Sequence, residues 1–190
     1  MKTKWNKTWV SLLVLLLFAG LALGSGESST PERVESPPPA AGEPAEGEGS
    51  ESAGSGPEIF AVGDSVNMGD LTFTVNSVRF DGGSEFFGPE DGERWLAIDC
   101  TLQNRGDDST NLSSLLMFEL VDEEHYKKDM AIFAETKGSL DGELGAGRTL
   151  RGEIAFSVGE AETGWELIFE PNVFGRGQAI FVVSLEDVDE

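Results

Sequence analysis

From Ile59 onward, apolar residues recur at every second position, and that period buries one face of a strand but cannot hold one face of a helix. In Leu71-Thr72-Phe73-Thr74-Val75 the apolar residues alternate with threonines. In Trp95 to Leu102, Leu96, Ile98, Cys100 and Leu102 share one face, and Trp95, Ala97, Asp99 and Thr101 share the other. Leu116, Phe118 and Leu120 alternate with Met117 and Glu119, and Trp165, Leu167 and Phe169 with Glu166, Ile168 and Glu170. The run Leu150, Gly152, Ile154, Phe156 and Val158 alternates with Arg151, Glu153, Ala155 and Ser157. Val78 and Phe80 take the opposite parity from Phe73 and Val75, which predicts a β-bulge near Asn76-Ser77. The closing run Ala179 to Val183 is apolar on both parities, as in a strand that is central or covered on both faces.

Turn-forming clusters separate these runs: Asp81-Gly82-Gly83, Gly88-Pro89, Asp91-Gly92, Gly106-Asp107-Asp108, Asp141-Gly142, Gly145-Ala146-Gly147 and Pro171-Asn172. About seven or eight short strands at this spacing imply an all-β fold over residues 58–190. The expected architecture is an immunoglobulin-like antiparallel β-sandwich, with a barrel as the alternative. With a single Cys in the chain no disulfide can pin the two sheets, so Trp95 or Trp165 is expected to supply the large core residue.

The N-terminal part obeys different rules. Lys2, Lys4 and Lys7 precede an apolar stretch from Trp9 to Leu23, and Ala22 and Gly24 suit a signal-peptidase cut before Ser25. Residues 1–24 therefore read as a signal peptide, or as an N-terminal anchor if uncut; the apolar stretch lies at the short end of what spans a bilayer. No Cys follows it to carry a lipid. Residues 25–57 are nearly all Ser, Glu, Gly, Pro and Ala, with Val34 their one large aliphatic. Such a segment buries too little surface to offset the entropy of ordering and is expected to be a disordered linker.

The inventory narrows function. One His and one Cys leave no set of ligands for a zinc site and no dithiol centre, and any Ser-His or Cys-His catalytic arrangement would have to use His125. His125 lies in Asp122-Glu123-Glu124-His125-Tyr126-Lys127-Lys128, a charged turn that suits a pH-sensitive surface more than a general base. Thirteen Lys and Arg against 35 Asp and Glu give a net charge of −22, which repels nucleic acid and anionic membrane surfaces. Any membrane contact is then expected only through an uncleaved N-terminal segment.

Several stretches resemble the extracytoplasmic family called domain of unknown function 4352. They are Val62-Gly63-Asp64-Ser65-Val66, Gly69-Asp70-Leu71-Thr72-Phe73-Thr74-Val75, Trp95 to Asn104, Ser113-Ser114-Leu115 and Arg151 to Val158. The resemblance spans about residues 59–186. It implies an immunoglobulin-like sandwich on a secreted or lipid-anchored protein, similar in fold to a group of secreted actinobacterial antigens, and it implies no activity. The sequence departs from the family pattern in lacking the lipidation Cys and in placing Cys100 where Val is usual.

Three candidate sites follow. Cys100 shares the face of Leu96, Ile98 and Leu102 and is expected to be a buried hydrophobe with a raised thiol pKa. Asp81, Glu85, Glu90, Asp91 and Glu93 cluster in one loop and Asp107 and Asp108 in the next. If the two loops met at one end of a sandwich they could offer oxygens to calcium, though no EF-hand spacing is present. Phe86 and Phe87 stand in the same Gly-rich acidic loop. Packing favours their tucking under it as a lid on the core; exposed, they would mark a partner contact. The chain is expected to be a non-enzymatic surface or secreted binding module, with another envelope or extracellular protein as its partner and no cofactor. The alternatives are a structural envelope spacer and a weakly calcium-stabilised adhesion domain, with a hydrolase the least favoured.

Overall fold

The alternating runs form strands where the pattern requires them. In chain order they are β1 (Glu32–Arg33), β2 (Ile59–Ala61), β3 (Ser65–Met68), β4 (Leu71–Asp81), β5 (Glu93–Asn104), β6 (Thr110–Leu112) and β7 (Phe118–Asp122). They continue with β8 (Gly142–Leu144), β9 (Thr149–Gly159), β10 (Gly164–Phe169), β11 (Ala179–Ser184) and β12 (Val188–Asp189). The structure is a computed structural model that describes residues 31–34, 58–171 and 177–189. The targeting segment and most of the expected linker lie outside the described residues.

The strands build a β-sandwich. One sheet runs β1-β3-β4-β5-β9, with β12 also paired to β4; the second runs β2-β11-β10-β7; β6 and β8 form a separate pair. Pairing is antiparallel except between β2 and β11 and between β4 and β12. The register of β4 on β5 shifts between Val75 and Ser77, where the change of parity predicts the bulge, and Asn76 there donates to Asp99 and Thr101 across the strands.

Between the sheets lies a core of aromatic rings. Phe73 of β4 stacks on Phe169 of β10 at 4.4 Å between centroids, meets Phe181 of β11 edge-on at 5.2 Å, and Phe60 of β2 stacks on Phe181 at 5.2 Å. Each such pair contributes about 1 kcal/mol beyond the area it buries. Trp165 is the largest side chain in this core, and Leu96, Ile98, Cys100 and Leu102 line it along β5, as their shared parity predicts. The strand β11 is central, between β2 and β10, yet Val182 on it remains exposed, so only part of its outer face is covered.

Two expectations are corrected. Leu116 is not in a strand: Ser114–Met117 forms one helical turn, α1, with Leu115 and Leu116 exposed. The turn is held by Asp141, whose carboxylate accepts from the Ser114 amide at 2.7 Å and from its hydroxyl at 2.9 Å, and these bonds outweigh the alternation. The expected linker also contains one stretch that the structure describes, and it is a strand. Pro31 to Val34 lies along the sheet edge as β1, with Glu32 opposite Asn67 and Arg33 opposite Val66. Arg33 and Val34 are the only cation and the only large aliphatic of residues 25–57, and both fall in the described stretch.

Candidate functional site

The sequence marks the connection from β7 to β8 as little more than a charged turn, yet it covers the open side of the sandwich. At its start Asp122 and Tyr126 close a turn with His125 at φ 64°, and the Lys128 amide donates to Leu120 of β7 at 2.8 Å. The Lys128 ammonium sits 2.7 Å from Asp122 and also bonds Glu162. The chain then crosses to the free edge of β9. The Ser157 amide donates to Asp129 at 2.9 Å, that of Ala131 to Ala155 at 2.8 Å, and that of Glu153 to Lys137 at 2.9 Å. Covering an edge in this way removes a row of unpaired backbone groups. It also buries Trp95 and Ala97 under Ala131 in a second, smaller cluster with Ala155 on the outer face of the sheet.

An ionic network locks this segment down. The Arg79 guanidinium of β4 forks onto both oxygens of Glu153 at 2.7 and 3.1 Å, bonds Asp81 at 3.1 Å and donates to the Glu135 carbonyl at 2.9 Å. Glu153 accepts the Lys137 amide at 2.7 Å and Asp81 the Glu135 amide at 2.9 Å. Burial alone would push the Glu153 carboxyl up; the Arg79 bonds and the Lys137 amide outweigh it and hold it below the usual carboxylate range. Gly152 completes the fit, because a Cβ there would come within 2.7 Å of the Ser139 backbone.

Locked against β9, the segment presents Ile132 and Phe133 to solvent. Across from it, the loop between β4 and β5 presents Phe86 and Phe87. The Ser84 amide donates to the Phe87 carbonyl at 2.6 Å, and Gly83 packs so closely on the Phe87 carbonyl and Trp95 that only glycine fits at its φ of 76°. The Phe87 and Phe133 rings stack at 4.8 Å, tilted by 9°. Phe86 is 83% exposed, Ile132 77%, Phe133 57% and Phe87 52%. The aromatic pair is therefore a surface patch and not the lid that packing favours: Trp95 beneath the loop is already covered by Gly83 and Ala131, which leaves no core surface for Phe86 and Phe87 to seal. Beside it an open depression of about 370 Å³ is lined by Glu90, Glu93, Trp95, Asp129, Ile132 and Phe133. Apolar rings edged by carboxylates are thus what this face offers.

The family profile of a domain of unknown function, DUF4352, matches residues 60–180. The chain belongs to that family. Against curated proteins the sequence has no match. Among solved structures, this DUF4352 chain is similar to the ycdA protein of Bacillus subtilis, with TM-score 0.51 and 18% identity over 62% of this chain; the match spans only 37% of the ycdA chain. An uncharacterised β-sandwich protein of Clostridium difficile matches 75% of this chain and all of its own, with TM-score 0.48 and 16% identity. The secreted protein MPT63 of Mycobacterium tuberculosis matches 67% of this chain and 98% of its own, with TM-score 0.47 and 15% identity.

The carboxylates expected to gather around calcium are dispersed in the DUF4352 domain. Asp81 is engaged by Arg79 and the Glu135 amide. Glu85 and Asp91 are exposed on the loop, and Glu93 is half-buried at the start of β5. Asp107 and Asp108 follow the far end of that strand, which is 12 residues long, so roughly 40 Å separates the two loops. Among the described residues no three His, Cys, Asp or Glu side chains converge as metal ligands. Cys100 is fully buried, and burial first, then the nearby charges of Asp99 and Glu153, pushes its thiol well above the usual range. His125 is exposed, apart from the patch. Sequence reasoning missed Ile132 and Phe133; the available signal is the apolar run Met130 to Ala134 between Asp129 and Glu135, too short to alternate.

Proposed function

We propose that the chain is an extracytoplasmic, non-enzymatic binding module that grips another envelope or extracellular protein through Phe86, Phe87, Ile132 and Phe133. The observation that carries this is the stacking of Phe87 on Phe133 at the surface, from two segments each fixed by its own hydrogen bonds. Exposed aromatics on a rigid support lose little conformational entropy on binding, which is why they dominate interface energetics. The carboxylates of Glu90, Glu93 and Asp129 beside them select a partner whose apolar contact is flanked by Lys or Arg. Export is supported by the charged-then-apolar order of residues 1–24.

Crosslinking capture from envelope extract with the full chain tests this. One saturable partner is expected, lost in Phe87→Ser/Phe133→Ser and weakened by salt. Each aromatic at such a centre is worth about 2 kcal/mol, or about 30-fold, so the double variant should bind between about 30-fold and about 1,000-fold more weakly, according to how far the two losses add. Equal capture by the folded double variant refutes the patch, and no saturable partner in any condition favours the structural spacer.

A further inference from the structure

Pro31 to Val34 lies along the edge of β3 with the Arg33 guanidinium set among polar and aromatic groups. The Arg33 guanidinium is ion-paired to Asp64, donates to the Ile59 carbonyl at 3.1 Å, approaches Glu58 at 3.7 Å and lies 4.9 Å from the centre of the Phe60 ring. Glu32 and Arg33 pair antiparallel with β3, and the Val34 amide donates to the Ser65 carbonyl at 2.9 Å. A carboxylate, a carbonyl and an aromatic face around one guanidinium, beside a strand edge paired by backbone bonds, is the arrangement by which strand addition reads an extended peptide through an arginine.

The receptor is built without its occupant. Asp64 accepts the Ala61 amide at 2.9 Å, its own amide donates to the Ala61 carbonyl at 3.1 Å, and the Gly63 amide is tied to Val75 of β4 at 2.8 Å. Gly63 supplies the φ of 95° that this turn requires. Phe60 is fixed by its stack on Phe181. The occupant, in contrast, pairs over two residues and contributes nothing to the core. Pro31 begins it and Pro37-Pro38-Pro39 follows closely, and proline cannot donate to a strand ladder.

We propose that the edge of β3, with Asp64, Phe60 and the Ile59 carbonyl, is an exchangeable docking site for an extended arginine-bearing peptide, filled in this chain by its own residues 31–34. Covalent attachment places that segment at an effective concentration on the order of mM, so contacts this few suffice to seat it, and a free peptide of the same sequence competes poorly until the resident strand is weakened.

The test uses the full chain and a labelled peptide copying residues 29–36, titrated to millimolar concentration and followed by NMR at Ser65 to Met68. The wild-type chain is expected to bind the peptide at least about tenfold more weakly than the Arg33→Ala chain, whose site is vacated while Asp64 is kept. The peptide carrying Arg33→Ala should not bind, and adding Asp64→Asn to the Arg33→Ala chain should abolish binding. An unchanged thermal midpoint shows that each variant remains folded. Equal binding by wild-type and Arg33→Ala chains, or binding indifferent to Asp64→Asn, overturns the proposal. So does a wild-type dimer, seen in sedimentation, that dissociates on Arg33→Ala, because residues 31–34 would then come from a second copy.

Discussion

The two outer edges of the larger sheet are both covered, and by different physical means. On the β9 side, residues 129–138 are held by backbone bonds to Ala155, Ser157 and Glu153, by the Arg79–Glu153–Asp81 network and by the close approach at Gly152. On the β3 side, a strand of two residues is held by its short pairing with β3, the Val34–Ser65 backbone bond and the contacts of Arg33. The first cover is part of the fold, with its own buried cluster under it; the second is a ligand that happens to be covalently attached. The difference teaches how the two edges could serve different ends: the locked cover carries rigid aromatics outward, and the weakly held one leaves the strand edge that we propose can exchange.

The largest effect is expected at Gly152. Gly152→Val puts a side chain into the Ser139 backbone, where the Cβ alone would lie 2.7 to 3.0 Å away, so the cover must lift. Overpacking of this kind costs about 2–3 kcal/mol, read in chemical denaturation. The same lift should separate Phe133 from Phe87 and weaken partner capture. Full capture by this variant would show that the patch does not need the cover.

Glu153→Ala comes next. It removes both of the Arg79 forks and the acceptor for the Lys137 amide, and leaves a half-buried guanidinium with only Asp81 and a carbonyl. Breaking a buried pair costs about 3–5 kcal/mol; Arg79 keeps partial solvent access and two partners, so about 2 kcal/mol is expected. The pH dependence has a defined sign. The Glu153 carboxyl is held below its ordinary 4.5 in the folded chain, so its stabilisation is complete above that pH and is lost as pH falls below it toward the folded value. Denaturation curves at successive pH values should show wild type losing stability over that acid window and Glu153→Ala losing less.

The smallest effect is expected on the other side. Arg33 is exposed, and its ion pair is screened, so Arg33→Ala should change global stability by less than about 0.5 kcal/mol. Hydrogen exchange at Ser65 to Met68 should nonetheless rise. A global loss comparable to that of Glu153→Ala would erase the distinction between the two edges.

How far the sequence could be read follows the same division. The strands β4, β5, β9 and β10, the bulge at Val75/Ser77 and the burial of Cys100 were legible, because a half-buried strand writes its environment at every second residue. The β9 cover was not. Its interactions are backbone bonds, one glycine contact and an ionic network joining Arg79, Asp81, Glu153 and Lys137 from distant parts of the chain, none of which leaves a local period. That is also why Ala97 and Glu153, on the face opposite Ile98 and Ile154, are buried. Half of the candidate site was visible, as Phe86 and Phe87; their exposure and their pairing with Phe133 depend on the cover. The two acidic loops lie at opposite ends of β5, a separation that the sequence pattern does not show, and the residues of β1 were conspicuous within residues 25–57 only by their rarity.

The most direct measurement places a photo-crosslinking side chain at position 133 of the full chain and, in a second sample, at Val182, an exposed apolar position on the other sheet. Crosslinking to a saturable envelope partner from position 133, and none from 182, is the result this account predicts. Crosslinking from 182 with none from 133 would contradict it and move the contact surface to the opposite face of the sandwich.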